Sequence, residues 1–137
     1  MRREVEVALA LVHRGNHWLV ARRRPEAHLG GLWEFPGGKR EGVERPAETA
    51  LRELREECAV EAVVEAELET LRHDYGDRVV SLTPLVCRWR SGEGVPHGCE
   101  ECRWATLGEI SGLPMPALNA EIIHALERHL RRGAGTA

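Results

Sequence analysis

Three glutamates, Glu53, Glu56 and Glu57, stand at i, i+3 and i+4 in the segment Arg52-Glu53-Leu54-Arg55-Glu56-Glu57. On a helix, at about 100° per residue, they share a sector of roughly 100°. Ala47, Ala50, Leu51, Leu54 and Cys58 project on the opposite side as an apolar stripe, so that side should face a core. Acids aimed at one place repel each other unless a cation lies among them. Hard divalent ions such as Mg²⁺ take oxygen ligands from carboxylates, phosphates and water. Taken alone, such a run is more often a solvated helix face. The residues before it change that weighting. Pro36-Gly37-Gly38-Lys39 supplies backbone that can turn sharply and approach a ligand closely. Glu44 lies just ahead of the helix, and Pro46 stands at its first position, where proline is tolerated. The spacing predicts a helix over 46–58 and a Mg²⁺ site poised for a phosphorylated substrate.

From Gly38 to Val60 the chain resembles the Nudix box, G-x5-E-x7-R-E-U-x-E-E-x-G-U, with U a bulky aliphatic residue. Gly38, Glu44, Arg52, Glu53, Leu54, Glu56, Glu57 and Val60 all fall in register, and Ala59 stands where the family has glycine. That glycine normally follows the helix in a left-handed conformation, where alanine costs about 1 kcal/mol. No metal ligand is lost by the exchange. The resemblance implies an α/β fold, an α/β/α sandwich with a mixed β-sheet between helices. It also implies hydrolysis of a nucleoside diphosphate linked to another moiety, by water attack at phosphorus with Mg²⁺, or Mn²⁺ in its place. Glu53, Glu56 and Glu57 match the family's metal ligands, with Glu44 and Gly37 contributing. Glu53 is the first choice for the base. Arg52 would orient Glu44 or a neighbouring carboxylate through a bidentate pair, and Lys39 would meet a phosphate as a point charge.

Beyond the box, Leu32-Trp33-Glu34-Phe35-Pro36-Gly37-Gly38-Lys39 is similar to the MutT-type branch, as are Arg22-Arg23, Ala27-His28 and Pro114-Met115-Pro116-Ala117-Leu118-Asn119. That branch removes oxidised guanine nucleotides, so the likeness implies a nucleoside triphosphate pyrophosphohydrolase acting on purine dNTPs such as 8-oxo-dGTP. Substrate contacts would come from Arg23, Phe35, Gly38, Lys39 and Asn119. The Asn119 amide offers both donors and an acceptor to a purine edge, or it caps the last helix. Phe35 suits a nucleoside pocket and a core equally. The branch carries a further metal-associated glutamate in the loop before the tryptophan of Arg103-Trp104. The aligned position here is Gly98, leaving Glu100 or Glu101 to substitute if the loop shifts. A pyrimidine triphosphate, ADP-ribose or a dinucleoside polyphosphate are the alternative substrates. A nucleotide sensor without turnover is a different class, and the intact set of acids argues against it.

A chain of 137 residues suits one domain burying roughly two-thirds of its unfolded surface, here expected over 1–132 with a frayed tail at 133–137. The net charge of −3 argues against a nucleic-acid polymer as partner and suits a small nucleotide. No apolar run reaches membrane-span length, and Met1-Arg2-Arg3-Glu4 lacks a signal-peptide pattern, so a cytoplasmic protein is expected. Monomer and homodimer both stay open. The four cysteines, Cys58, Cys87, Cys99 and Cys102, read as reduced thiols. Cys99 and Cys102 form one C-x-x-C. A zinc site usually wants two such pairs, and Cys58 is assigned to the helix's core face, so a zinc or redox module is disfavoured.

The elements that must position these residues follow from periodicity. Val5, Val7, Leu9 and Leu11 alternate with smaller or polar residues, and Trp18 to Ala21 follow a polar turn, a hairpin-like pair. A short strand is expected over 32–35 and mostly extended chain over 60–71. A long strand over 79–89 contains Pro84, which marks a bulge or an edge. A short strand over 103–106, one helical turn at 107–110 and an amphipathic helix over 117–130 complete the reading.

Overall fold

A computed structural model describes residues 3–135, so Met1, Arg2, Thr136 and Ala137 lie outside the described residues. In chain order the elements are β1 (Arg3–Arg14), β2 (His17–Arg22), β3 (Trp33–Glu34), β4 (Gly37–Lys39), α1 (Pro46–Cys58), β5 (Glu61–Glu67), β6 (Leu71–Asp74), β7 (Arg78–Ser91), β8 (Glu101–Ala105), α2 (Leu107–Ile110) and α3 (Asn119–Gly135). The strands form one mixed sheet ordered β3-β2-β1-β7-β5, with β4 beside β1, β6 beside β7 and β8 beside β2. β1 runs parallel to β7 from Arg3↔Arg78 to His13↔Arg88, and the other pairings are antiparallel.

Alternation along the central strands feeds two cores. Ala8, Ala10 and Val12 of β1, Leu19 and Ala21 of β2, and Leu85 and Cys87 of β7 pack with Ala50, Leu54 and Cys58 of α1. Leu9, Leu11, Trp18, Val20 and Val86 point to the other face and pack with Ile122 and Leu126 of α3. A strand buried on both faces reads as a near-continuous apolar run rather than an apolar–polar alternation. The result is an α/β/α sandwich. Among the described residues, no helix is long and apolar enough to cross a membrane.

One open alternative is resolved and one local expectation is corrected. β7 lies inside the sheet, so Pro84 marks no edge. It sits where β5 gives way to β6: Glu67 pairs with Leu85, Leu71 pairs with Leu82, and Leu68 N–H reaches the Pro84 carbonyl at 2.9 Å. A residue's N and O point to the same side of a strand, so the missing donor falls at that irregularity. The last helix also continues through Gly135, so residues 133–135 are helical rather than frayed.

The edge of β1 that faces away from β7 is shared. His13 and Arg14 pair with β2, whereas Val7, Ala8 and Leu9 pair with Lys39, Gly38 and Gly37 of β4. Pro36 occupies the gap, its carbonyl accepting the Ala10 N–H at 2.7 Å. This split brings the double glycine under α1.

Candidate active site

α1 begins where the sequence places it, with Pro46 first and the Glu48 carboxylate accepting the Arg45 N–H at 2.8 Å. It ends at Ala59, which is left-handed (φ 56°, ψ 40°) and donates its N–H to the Arg55 carbonyl at 3.0 Å. The family's glycine conformation is therefore held by an alanine. Between these ends the apolar stripe docks on the sheet and the acids turn toward β4.

Gly38 admits the first of them. A Cβ built there would stand 2.5 Å from the Glu53 carboxyl carbon, so any side chain at this position would push the Glu53 carboxylate from its place. Gly37 donates its N–H to Glu57 Oε2 at 3.2 Å. Arg52 gathers the remaining acids. Its Nε and Nη2 grip Glu44 at 2.8 and 3.1 Å, and Nη1 reaches Glu53 at 2.8 Å and Glu56 at 3.1 Å. Nη2 also donates to the Lys39 carbonyl at 3.0 Å, tying the helix to β4. Glu44 further accepts from Thr49 Oγ1 at 3.0 Å and from the Glu41 N–H at 2.9 Å. The Arg52 hydrogen bond, followed by the Glu41 backbone bond, holds the Glu44 carboxyl down at about 2.

The acids thus divide into two groups. Glu44, Glu53 and Glu56 share one guanidinium. Glu57, one residue beyond Glu56, instead faces Glu34 of β3, a residue given no role in the sequence reading. Burial pushes the Glu57 carboxyl up to about 8, and the charges of Glu34 and Glu53 add to the rise. Burial also raises Glu53, against the pull of Arg52, and raises Glu34, against the pull of Arg23. Burial disfavours the ionised form of all three, and a guanidinium offsets it only at Glu53 and Glu34, not at Glu57. Among the described residues, no three acidic side chains bring one oxygen each within 4.8 Å of one another. An all-oxygen donor set short of positive charge still fits a hard divalent cation, with side-chain adjustment.

A cavity of about 160 Å³ adjoins this second group, lined by Arg22, Arg23, Arg24, Glu34, Glu57 and Gly98, among others. Arg23 is fixed there by Glu34 at 2.6 Å and by the His28 carbonyl at 2.9 Å. Gly98 lies against the end of α1, its N–H on the Glu57 carbonyl at 3.1 Å. Neither candidate for the extra glutamate joins it: Glu101 reaches Arg103 at 3.4 Å, and Glu100, though its N–H bonds to Arg22, does not line the cavity. The acid that lines this cavity together with Glu57 is Glu34. Its signal was its place in Trp33-Glu34-Phe35, where the residue between two buried aromatics must face the other side of the strand.

The remaining substrate candidates scatter. Lys39 is exposed beside the acids. Phe35 has no exposed surface and packs in the α3-side core, so it lines no open pocket in this structure. Asn119 is 6% exposed, on the wall of a separate cavity of about 460 Å³ shared with Met115, Pro116 and Ile123. Its amide nitrogen lies 3.7 Å from the Met115 sulfur, and its side chain makes no helix-capping bond. The Pro114 carbonyl accepts the Trp33 N–H at 2.8 Å, which ties the proline-rich turn to β3 and so to Glu34.

Comparison with known proteins agrees with this architecture. The family model described as NUDIX domain matches residues 7–125. An 8-oxo-dGTP diphosphatase of Escherichia coli K12 is 32% identical over 130 residues, covering 92% of this chain and 98% of that protein. A CTP pyrophosphohydrolase of the same strain is 36% identical over 121 residues, covering 88% and 90%. The solution structure of the E. coli ORF135 protein superposes with a TM-score of 0.80 at 26% identity, over 93% of this chain and 91% of that one. An acid-bearing helix on a double-glycine strand, matched along nearly the whole sequence, places this chain in the Nudix hydrolase family, in its MutT-type branch.

Proposed function

We propose that this protein hydrolyses a nucleoside triphosphate to the monophosphate and pyrophosphate, with an oxidised purine dNTP such as 8-oxo-dGTP as preferred substrate. The observation that carries the reading is the pairing of the carboxyl group Glu34, Glu53 and Glu57 with an arginine-lined cavity at its side. A polyphosphate needs its charge neutralised and a water held in line with the leaving oxygen. Mg²⁺, or Mn²⁺ in its place, would be held by Glu53, Glu56, Glu57, Glu44 and Gly37, and supplies charge neutralisation and polarisation of the phosphoryl oxygens. Glu53 takes the proton of the attacking water, a task suited to a carboxyl that burial makes more basic. Arg52 is the positioning residue that fixes Glu53 and Glu44. Arg23 and Lys39 contact the phosphates, and Gly38 lets them approach β4. Residues 1–132 work as a single catalytic domain, in the cytoplasm, where free nucleotides are found.

Asn119 is the proposed base reader. Of the three buried polar residues among those described, Thr49 and Thr83 use their hydroxyls on Glu44 and Thr70, whereas the Asn119 amide shows a thioether contact alone. An amide with unused capacity at a cavity wall suits a purine edge. A second reading, a pyrimidine triphosphate as substrate, is favoured by the 36% identity to a CTP pyrophosphohydrolase. The test is kcat/KM for 8-oxo-dGTP, dGTP and CTP with saturating Mg²⁺. The first reading expects 8-oxo-dGTP to lead, and a lead by CTP would replace it with the second.

A further inference from the structure

The same end of α1 carries a second cluster of potential ligand atoms, of opposite chemical character. The sulfurs of Cys58, Cys99 and Cys102 all lie within 4.8 Å of one another, and those of Cys99 and Cys102 are 3.5 Å apart. Among the described residues, no other group of three histidine, cysteine or acidic side chains is so tightly gathered. The sequence separates Cys58 from the pair by forty residues and assigns it to the core face of α1. That face and the C-x-x-C prove to occupy the same place.

We propose that Cys58, Cys99 and Cys102 form a thiolate site for a thiophilic d¹⁰ cation of the zinc type. Zinc–sulfur bonds are about 2.3 Å long, so three sulfurs on one such ion stand about 3.8–4.0 Å apart. The sulfurs here need only small movements to reach that spacing. Backbone contacts independent of the thiols hold them in place. Val95 N–H bonds to the Cys58 carbonyl at 3.0 Å, and His97 and Gly98 N–H groups bond to the Glu57 carbonyl at 2.9 and 3.1 Å. These three bonds sew the loop before Cys99 onto the last turn of α1. Cys102 is fixed by pairing with Ala21 across β2 and β8.

Charge and access fit as well. Three thiols release three protons to solvent on binding, so a divalent ion with three thiolates carries a net charge of about −1. Arg24 stands beside the cluster, its Nη2 on the His97 carbonyl at 3.1 Å, and lines the same cavity as Cys99. Cys58 and Cys99 are buried, whereas Cys102 is partly exposed and leaves an approach for the ion and for water as a fourth ligand. Soft sulfur ligands select zinc-like or monovalent copper ions and the neighbouring carboxylates select hard ones, so consecutive residues, Glu57 and Cys58, serve two different cations. The competing account is that three reduced thiols simply pack as small apolar groups.

Co²⁺ distinguishes them, because thiolate ligation gives it an intense near-ultraviolet charge-transfer band that carboxylate ligation does not. Chelator-treated, reduced protein is titrated with Co²⁺ in excess Mg²⁺, which keeps the oxygen site filled. The proposal expects one equivalent of Co²⁺ per chain with that band, displaced by Zn²⁺. Cys102→Ser, at the partly exposed position, should lose the band and weaken apparent Zn²⁺ affinity by about 100-fold or more. Cys87→Ala, outside the cluster, should keep both. Absence of the band in the unsubstituted protein overturns the proposal whatever the variants do, and so does a band of full strength in Cys102→Ser.

Discussion

Removing the divalent cation should make the protein's stability fall as pH rises, through Glu57. In the unfolded chain this carboxyl ionises around the ordinary 4.5, whereas in the fold burial and the neighbouring Glu34 and Glu53 keep its proton until about 8. Between those values the folded state binds more protons than the unfolded state, so stability declines with pH. The contribution is whole below the lower value and gone above the upper one. Carried in full, the gap corresponds to about 5 kcal/mol at 1.36 kcal/mol per pH unit. Glu57 is only half-buried, and solvent screening reduces this to about 2 kcal/mol. For a chain of this length that is a fall of roughly 6–10 °C in Tm. The assay is thermal unfolding in chelator across pH 5 to 9, for the unsubstituted protein and Glu57→Gln. The difference between the two isolates Glu57 from the protein's other ionisable groups. Saturating Mg²⁺ should raise Tm more at pH 9 than at pH 5, because at low pH the cation must first displace the proton. Equal slopes in the two proteins would refute the reasoning.

Other perturbations bear on neighbouring parts of the account. Ala59→Gly should raise stability by up to about 1 kcal/mol, because Ala59 is left-handed, although glycine's greater freedom in the unfolded chain offsets part of the gain; a lower Tm in chemical or thermal unfolding would contradict that helix end. Arg52→Lys keeps the charge but not the fork that holds Glu44, Glu53 and Glu56, so kcat should fall roughly tenfold to a hundredfold with a near-normal circular dichroism spectrum. Unchanged kcat would reduce Arg52 to a surface ion pair. Asn119→Ala should cost about 1–3 kcal/mol in kcat/KM for the preferred nucleotide and less for the others, and an equal fall for all nucleotides would remove Asn119 from base recognition.

What the sequence disclosed about this site was local, and what it hid was assembled across elements. Pro46, the acid spacing and the position of Ala59 define α1 within one short segment, and the helix begins and ends there. The alternation of Val5 to Leu11 likewise gives a strand. Its small residues Ala8 and Ala10, read simply as the other side of the alternation, mark the face on which α1 lies. The parallel pairing of β1 with β7 joins residues some seventy-five positions apart, and no local pattern encodes it. Pro84 was ambiguous for that reason, since edge and bulge differ only in what lies alongside. Phe35 could be read as pocket or core, and Glu34 had no signal apart from its neighbours, because which side of the chain each takes is set by alternation with buried Trp33. The cysteine cluster depends on a loop folding back onto α1 through backbone bonds that any residue types could make.

The central claim is that the acids of α1 cut a phosphoanhydride bond, and Glu53→Gln tests it most directly. The amide keeps the shape beside Gly38 but binds cations poorly and accepts no proton at neutral pH. Products from 8-oxo-dGTP, dGTP and CTP are to be identified with and without Mg²⁺ for both proteins. The account predicts nucleoside monophosphate and pyrophosphate from the unsubstituted protein only when Mg²⁺ is present, and loss of most turnover in a folded Glu53→Gln. Near-normal turnover in that variant, or release of orthophosphate in place of pyrophosphate, would contradict it.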